Sequence, residues 1–435
     1  MDISESIAVF WFRRDLRLFD NTALFKALTS SFKVLPVFIF DRKILQNLHP
    51  DDKRVSFIYQ AIQHLNKLLL PYKTSVQVYF GTPEDVFGQL ISTYIVTSVY
   101  ANHDYEPYAM ERDLLIKKKL AGKGVLFQTF KDQVIFEKDE ITKPSDEPYT
   151  VYTPYSHKWI AKLNQEYNYL HNWNSENYLF NFFQIERKRE VSFSEMDFNE
   201  TKDVFQSFQL NLNAIGTYDK TRNFPAMDST SKVSVHLRFG TVSIRQLVAQ
   251  ALEINSTWLG ELIWREFFMQ ILWHFPNVVH QPFKPKYQFI QWVNNEKNFE
   301  SWCTGQTGYP LVDAGMRELN ETGFMHNRVR MVTASFLVKH LLITWQWGEA
   351  YFAEKLLDFE LASNNGNWQW AAGTGCDAAP YFRIFNPVKQ AEKFDPQSVY
   401  IKKWIPEYGT KSYAQPMLDH AFARERCLET YKASL

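Results

Sequence analysis

Through its first 130 residues the chain alternates short apolar runs with segments of helical periodicity, and few architectures accommodate that alternation. SIAVFWF (6–12) is too short for a typical helix and reads as a strand, as do VLPVFIF (34–40), SVQVYF (75–80), VTSVYA (96–101) and VLFQTF (125–130). Between them lie a stretch capped by Asp20 and Asn21 that runs through Leu28 and a periodic segment over 53–70. Thr82-Pro83-Glu84 then starts a helix, and another spans 106–121. The order predicts an α/β domain with a doubly wound parallel sheet, helices covering both faces. The first loop carries no GxGxxG, so the usual dinucleotide fingerprint is absent.

That rhythm stops at residue 131. Residues 131–205 are rich in Asn, Tyr, Phe and charge and read as an interdomain connection; from 206 to 435 the periodicity is helical, without clear strands. The expected organisation is therefore an α/β domain over 1–130, a connection over 131–205 and an all-α domain over 206–435, two domains being natural for 435 residues. No apolar run of about 18 residues is present, so no membrane span is expected. The N-terminal stretch lacks the features of a secretion signal. Cys303, Cys376 and Cys427 form no CxxC pair, which points to a reducing cytoplasm without a structural zinc site. The net charge of zero argues against broad coating of nucleic acid but leaves room for a local basic groove. Ten of the 13 tryptophans lie after residue 257, which suits stacking on flat ligands and equally suits an aromatic core.

Four constellations could carry chemistry. TSKVS (230–234), preceded by Tyr218 and Arg222, puts hydroxyls at a helix start, where diphosphates bind and where plain caps also occur. In WLGELIWREFF (258–268), Glu261, Trp264, Arg265 and Phe268 share a helix face. They could hold a base, or form an i,i+4 ion pair beside core aromatics. In HNRVRM (326–331), Asn327, Arg330 and Met331 face one way, with Arg328 also beside Met331. At least one of these arginines needs a buried acid, for which Asp358 and Glu360 are the candidates. Finally, residues 358–387 set Ala371, Ala372, Gly373, Gly375 and Ala378 beside Trp368 and Trp370 and a run of asparagines. Small residues there permit close approach of a ligand, or simply a tight interhelical loop.

Together with WFRRDLRLFDNTAL (11–24), TGYPLVDAGMREL (307–319) and GFMHNRVRMVTASFLVKHLL (323–342), these segments resemble the photolyase/cryptochrome family, especially the bacterial enzymes that repair cyclobutane pyrimidine dimers. The likeness covers nearly the whole chain and is weakest over about 160–215. It implies an N-terminal antenna domain and a helical domain holding bent FAD, active in its reduced anionic form. Tyr218, Thr230, Ser231 and Ser234 would hold the phosphates, Arg330 and Asp358 would pair beside the isoalloxazine, and Glu360 would contact the flavin or its ribose. Asn364 would face flavin N5, where a neutral amide accepts a hydrogen bond without placing a second negative charge beside the anion.

The resemblance further implies DNA containing pyrimidine dimers as substrate, bound by a monomer. Glu261, Trp264, Arg265, Asn327, Met331 and Trp370 match its dimer-contacting positions, with Glu261 stabilising the dimer radical anion. Arg222 and Arg328 would contact phosphates or the lesion edge, and Trp368, Trp345 and Trp292 match the tryptophan chain that photoreduces FAD. The damaged pair must be extruded to reach a buried cofactor, and neither a metal nor a covalent nucleophile is expected. Two positions depart from the pattern. Glu360 stands where many relatives have Asp, and Ala109 where folate-antenna photolyases tend to have Glu. That counts against folate and leaves the antenna chromophore open among deazaflavin, flavin and folate, with an empty antenna site as a further alternative. The alternatives are a signalling cryptochrome and a (6-4) photolyase, the latter disfavoured by His326-Asn327 in place of His-His and by Gln369-Trp370 in the WQW motif.

Overall fold

The computed structural model describes residues 5–165 and 167–434. It divides into two compact units, each assembled from three stretches: 1–137, 161–210 and 233–252 in one, and 138–160, 211–232 and 253–435 in the other.

The first unit is built on a five-stranded parallel sheet in the order β3-β2-β1-β4-β5. Its strands are β1 (Ser6–Phe12), β2 (Lys33–Asp41), β3 (Gln77–Gly81), β4 (Ile95–Asn102) and β5 (Leu126–Phe130). Central β1 pairs with β2 and β4, placing Val9 opposite both Leu35 and Val99. Both faces of β1 are covered, which is why it reads as a continuous apolar run rather than an alternating one. Helices start where local capping allows: Asn21 caps Thr22–Leu28, Asp52 caps Lys53–Leu69, and Thr82 caps Pro83–Thr93 with Pro83 in the first turn.

The loop after β1 folds into a buried polar lattice. At the head of the Thr22–Leu28 helix, the Thr22 amide donates to Asp132 Oδ1 at 3.1 Å, the Ala23 amide to Asn102 Oδ1 at 3.0 Å and the Leu24 amide to Asn21 Oδ1 at 3.2 Å. Asp132 also binds Arg17 at 2.6 Å and Arg245 at 2.8 Å, and Arg245 reaches Asp20 at 2.9 Å. Burial pushes the Asp132 carboxyl up, but the two guanidinium groups outweigh it and bring it down to about 2. Gly240 touches this lattice at φ +64°, where a Cβ would lie 2.0 Å from the Arg14 carbonyl oxygen.

The stretch 131–205, expected to be an interdomain connection, contains a 14-residue helix, Tyr152–Gln165. Tyr155, Trp159 and Leu163 recur along one buried face, a periodicity obscured by the polar and aromatic residues around it.

Among its described residues the second unit holds helices and turns but no named strand. Its core gathers Trp302, Trp345, Phe352 and Trp368 with the aliphatic residues of 311–343. Two glycines set the helix spacing. A Cβ at Gly348 would fall 2.1 Å from Trp368 Cη2, and one at Gly366 would fall 2.1 Å from Phe268 Cδ1. The Trp345–Lys355, Leu361–Ala372 and Ser256–His274 helices therefore close directly onto flat rings.

Candidate active site

Within the segment 358–387, residues 361–372 form the Leu361–Ala372 helix, ended by Gly373 at φ +85°, and Gly375 and Ala378 lie in the connection to the Pro387–Phe394 helix. The Leu361–Ala372 helix lines one side of a cleft with Asn364, Trp368 and Trp370; the Asn327–Ser335 helix lines another with Asn327, Arg330 and Met331. Asp358 and Glu360 close it, and about 630 Å³ of atom-free space lies within and at its mouth.

The buried acid that Arg330 required is Asp358. Arg330 Nη2 meets Asp358 Oδ2 at 2.9 Å, and Arg330 Nε donates to the Met325 carbonyl at 2.7 Å. Asp358 Oδ1 is buried without a hydrogen-bond partner, an expensive state for a carboxylate oxygen unless a ligand donor fills it. Asn364 offers a second vacant acceptor. Its Nδ2 donates to both the carbonyl and Oε1 of Glu349, each at 3.0 Å. Only the NH₂ end of an amide can face two acceptors, so the side-chain orientation is settled and Oδ1 is left to the cleft. Glu349 itself was not foreseen. Burial raises its pKa, partly opposed by the Asn364 hydrogen bond.

The second constellation distributes its charges differently from an i,i+4 pair. Glu261 turns to Arg222 in a close ion pair, while Arg265 Nη2 reaches Glu360 Oε1 at 3.1 Å. Glu360 Oε2 also accepts from Ser363 Oγ at 3.0 Å. Burial raises the pKa of Glu261 despite Arg222; burial and then the Glu261 charge raise those of Tyr152 and Tyr218. Trp264 lies parallel to Tyr152, ring centroids 3.7 Å apart and planes at 5°.

Arg328 donates to Asn223 Oδ1 at 2.6 Å and lies 4.4 Å from the Phe394 ring centroid. Burial, Arg222 and Arg383 lower its pKa, so three guanidinium groups feel one another in a chain of zero net charge. Arg383, an exposed member of that group, lies within the segment 358–387, where attention to its small residues and tryptophans passed over it.

The aromatic residues divide between cleft and core. Trp368 lines the cleft at 2% exposure and contacts Phe352 and Trp302, with ring centroids 5.0 and 6.1 Å away. Trp345 shares that core, and Trp292 packs at its edge, 6.1 Å from the Tyr431 ring. Of the expected phosphate contacts, Tyr218, Thr230 and Ser231 belong to the helical unit and Ser234 to the α/β unit, where it opens the Ser234–Phe239 helix.

Taken together, the cleft presents a guanidinium, two free acceptors on Asp358 and Asn364, and flanking indoles. That donor and acceptor set fits a flat, nitrogen-rich ring such as the isoalloxazine of FAD.

Comparison with known proteins agrees with this chemistry. Residues 8–171 match the family model for DNA photolyase, and residues 258–411 match that for the FAD binding domain of DNA photolyase. A deoxyribodipyrimidine photo-lyase of Vibrio cholerae is 35% identical, covering 98% of this chain and 99% of that protein. A bacterial class III photolyase from Agrobacterium tumefaciens superposes with a TM-score of 0.87 at 32% identity, covering 100% of this chain and 98% of that one. An archaeal photolyase from Sulfolobus tokodaii, solved with two FAD molecules, superposes at 0.79 with 32% identity, covering 98% and 99%. A cleft shaped for a flat ring, carried on a chain similar to photolyases over its full length, places this protein in the photolyase/cryptochrome family.

Proposed function

We propose that this chain is a deoxyribodipyrimidine photo-lyase that binds FAD in the cleft of its helical unit and splits cyclobutane pyrimidine dimers in DNA under blue light. The observation that carries the reading is the pair of vacant acceptors, Asp358 Oδ1 and Asn364 Oδ1, beside the Arg330 guanidinium. Reduced anionic FAD, once bound, would lend a light-driven electron to the dimer and take it back after the two inter-base bonds break. Arg330 balances negative charge on the ring, and neutral Asn364 accepts a hydrogen bond there without adding charge. Tyr218, Thr230 and Ser231 of the helical unit hold the phosphates, and Glu360 fixes Arg265 at the rim.

On the DNA side, Trp264 and Trp370 wall the extruded pair, Asn327 and Met331 contact it from the next helix, and Glu261 hydrogen-bonds a base edge. Arg222, Arg265 and Arg328 add positive charge for the backbone and the lesion edge. Trp368, Trp345 and Trp292 form the aromatic chain that delivers electrons to the cleft from the protein exterior. In the α/β antenna domain, Ala109 is buried and offers no carboxylate, which leaves a deazaflavin or a flavin ahead of a folate as the antenna chromophore. The enzyme works as a cytoplasmic monomer.

The test is blue-light repair of a thymine-dimer oligonucleotide by the purified, reduced holoprotein, followed as recovery of nucleobase absorbance. Light-dependent recovery supports the reading; no recovery from flavin-loaded protein overturns it.

A further inference from the structure

Trp264 has ring neighbours on its own helix, Phe267 and Phe268, and a parallel one from outside it. Tyr152 lies flat against it, with centroids 3.7 Å apart and planes inclined by 5°. The Tyr152 hydroxyl donates to the Gly260 carbonyl at 2.8 Å, one helical turn before Trp264, and its backbone N–H donates to Asp377 Oδ2 at 3.0 Å. The Tyr152 ring also meets Phe267 edge-on, with centroids 5.9 Å apart. The start of the Tyr152–Gln165 helix, the Ser256–His274 helix and the chain after residue 373 are thereby tied together at this one ring.

An unsupported indole on a helix surface samples several rotamers, and holding it in one of them opposes binding. A parallel aromatic neighbour removes that freedom before a ligand arrives. We propose that Tyr152 is a positioning residue for lesion recognition: it clamps one face of Trp264 and sets the plane in which the indole meets an extruded base. The inference rests on Trp264 being a wall of the lesion site. Undamaged duplex, whose bases stay stacked, makes no use of that wall, so the clamp acts on discrimination between damaged and undamaged DNA rather than on DNA affinity at large.

The experiment measures equilibrium binding of the flavin-loaded protein, in the dark, to a thymine-dimer duplex and to the same duplex undamaged. Tyr152→Leu fills the space without a flat face, and Tyr152→Phe keeps the ring. The expected result is an affinity for the dimer duplex weaker by about three- to tenfold in Tyr152→Leu, with undamaged binding unchanged and most of the loss restored in Tyr152→Phe. In a Trp264→Ala background the same leucine substitution should add nothing. A Tyr152→Leu protein that sheds flavin, or loses affinity for both duplexes equally, makes the residue structural and overturns the inference. A silent Tyr152→Leu beside an effective Trp264→Ala overturns this inference alone. Should Trp264→Ala leave discrimination untouched, the reading of the wall fails and this inference fails with it.

Discussion

Asn364→Asp is the substitution whose outcome follows most directly from the geometry. In the native protein Nδ2 sits 3.0 Å from Glu349 Oε1 as a donor. Aspartate replaces that donor with a second carboxylate oxygen at the same place. Two unit charges 3–4 Å apart repel by about 4–6 kcal/mol at an effective dielectric of about 20, equivalent to about 3–4 pKa units. Both groups cannot ionise at neutral pH, so the pair keeps one proton, and burial already raises Glu349 in that direction. Between the ordinary carboxylate pKa of about 4 and the raised value, the folded variant therefore holds more protons than the unfolded chain. Its stability should fall relative to the parent as pH rises through that window. Urea denaturation of both proteins from about pH 4 to 8 measures the gap, and the infrared band of an un-ionised carboxyl at neutral pH reports the retained proton. A gap that does not change with pH, with no such band, would refute the placement of Glu349 against Asn364. The same variant should hold reduced FAD less well, read as a lower flavin reduction potential.

Gly348→Ala should lower stability by about 1–3 kcal/mol and reduce flavin per chain, since its Cβ would meet Trp368 at 2.1 Å. Gly88→Ala, in a helix with open space around it, is the matched control and should be neutral or slightly stabilising in the same thermal melts. Asp132, held near 2 by Arg17 and Arg245, contributes stability that is present above pH of about 4 and lost as pH falls toward 2. Asp132→Asn should flatten that acid limb in denaturation experiments and destabilise the neutral protein by about 3–5 kcal/mol, because the buried Arg17 loses its carboxylate and Arg245 keeps only Asp20. Arg328→Ala should weaken binding to damaged and undamaged duplex alike and reduce the slope of log affinity against log salt by about one; an unchanged slope would remove Arg328 from the phosphate contacts.

The α/β half was legible because its signals are local. Asn21 and Thr82 cap the helices that their side chains can reach, and strand limits fall within a residue or two of the apolar runs. The Arg330–Asp358 pair was legible for another reason: a guanidinium in an apolar helix demands an acid, and Asp358 is one of the two candidates named for it. Glu349 escaped because nothing in its own segment distinguishes it from a solvated glutamate; its meaning comes from an amide fifteen residues on that turns back toward it. Tyr152 escaped because its hydroxyl's acceptor lies 108 residues away and its own helix was hidden among polar neighbours. The reassignment of Glu261 to Arg222 and of Arg265 to Glu360 likewise depends on which turns of which helices meet, information that spacing along one helix does not hold.

The head of the Thr22–Leu28 helix has a consequence for what the sheet can accept. In a doubly wound sheet the first crossover helix points its free amides at the crevice where strand order reverses, and nucleotide phosphates commonly dock there. Here the Thr22, Ala23 and Leu24 amides are already taken by Asp132, Asn102 and Asn21, and Asp132 occupies the position with a fixed negative charge of its own. An incoming phosphate would have to displace a carboxylate bound to two arginines. The chain has, in effect, supplied its own internal anion, and anyone wishing to graft a nucleotide socket onto this sheet would have to start by removing Asp132.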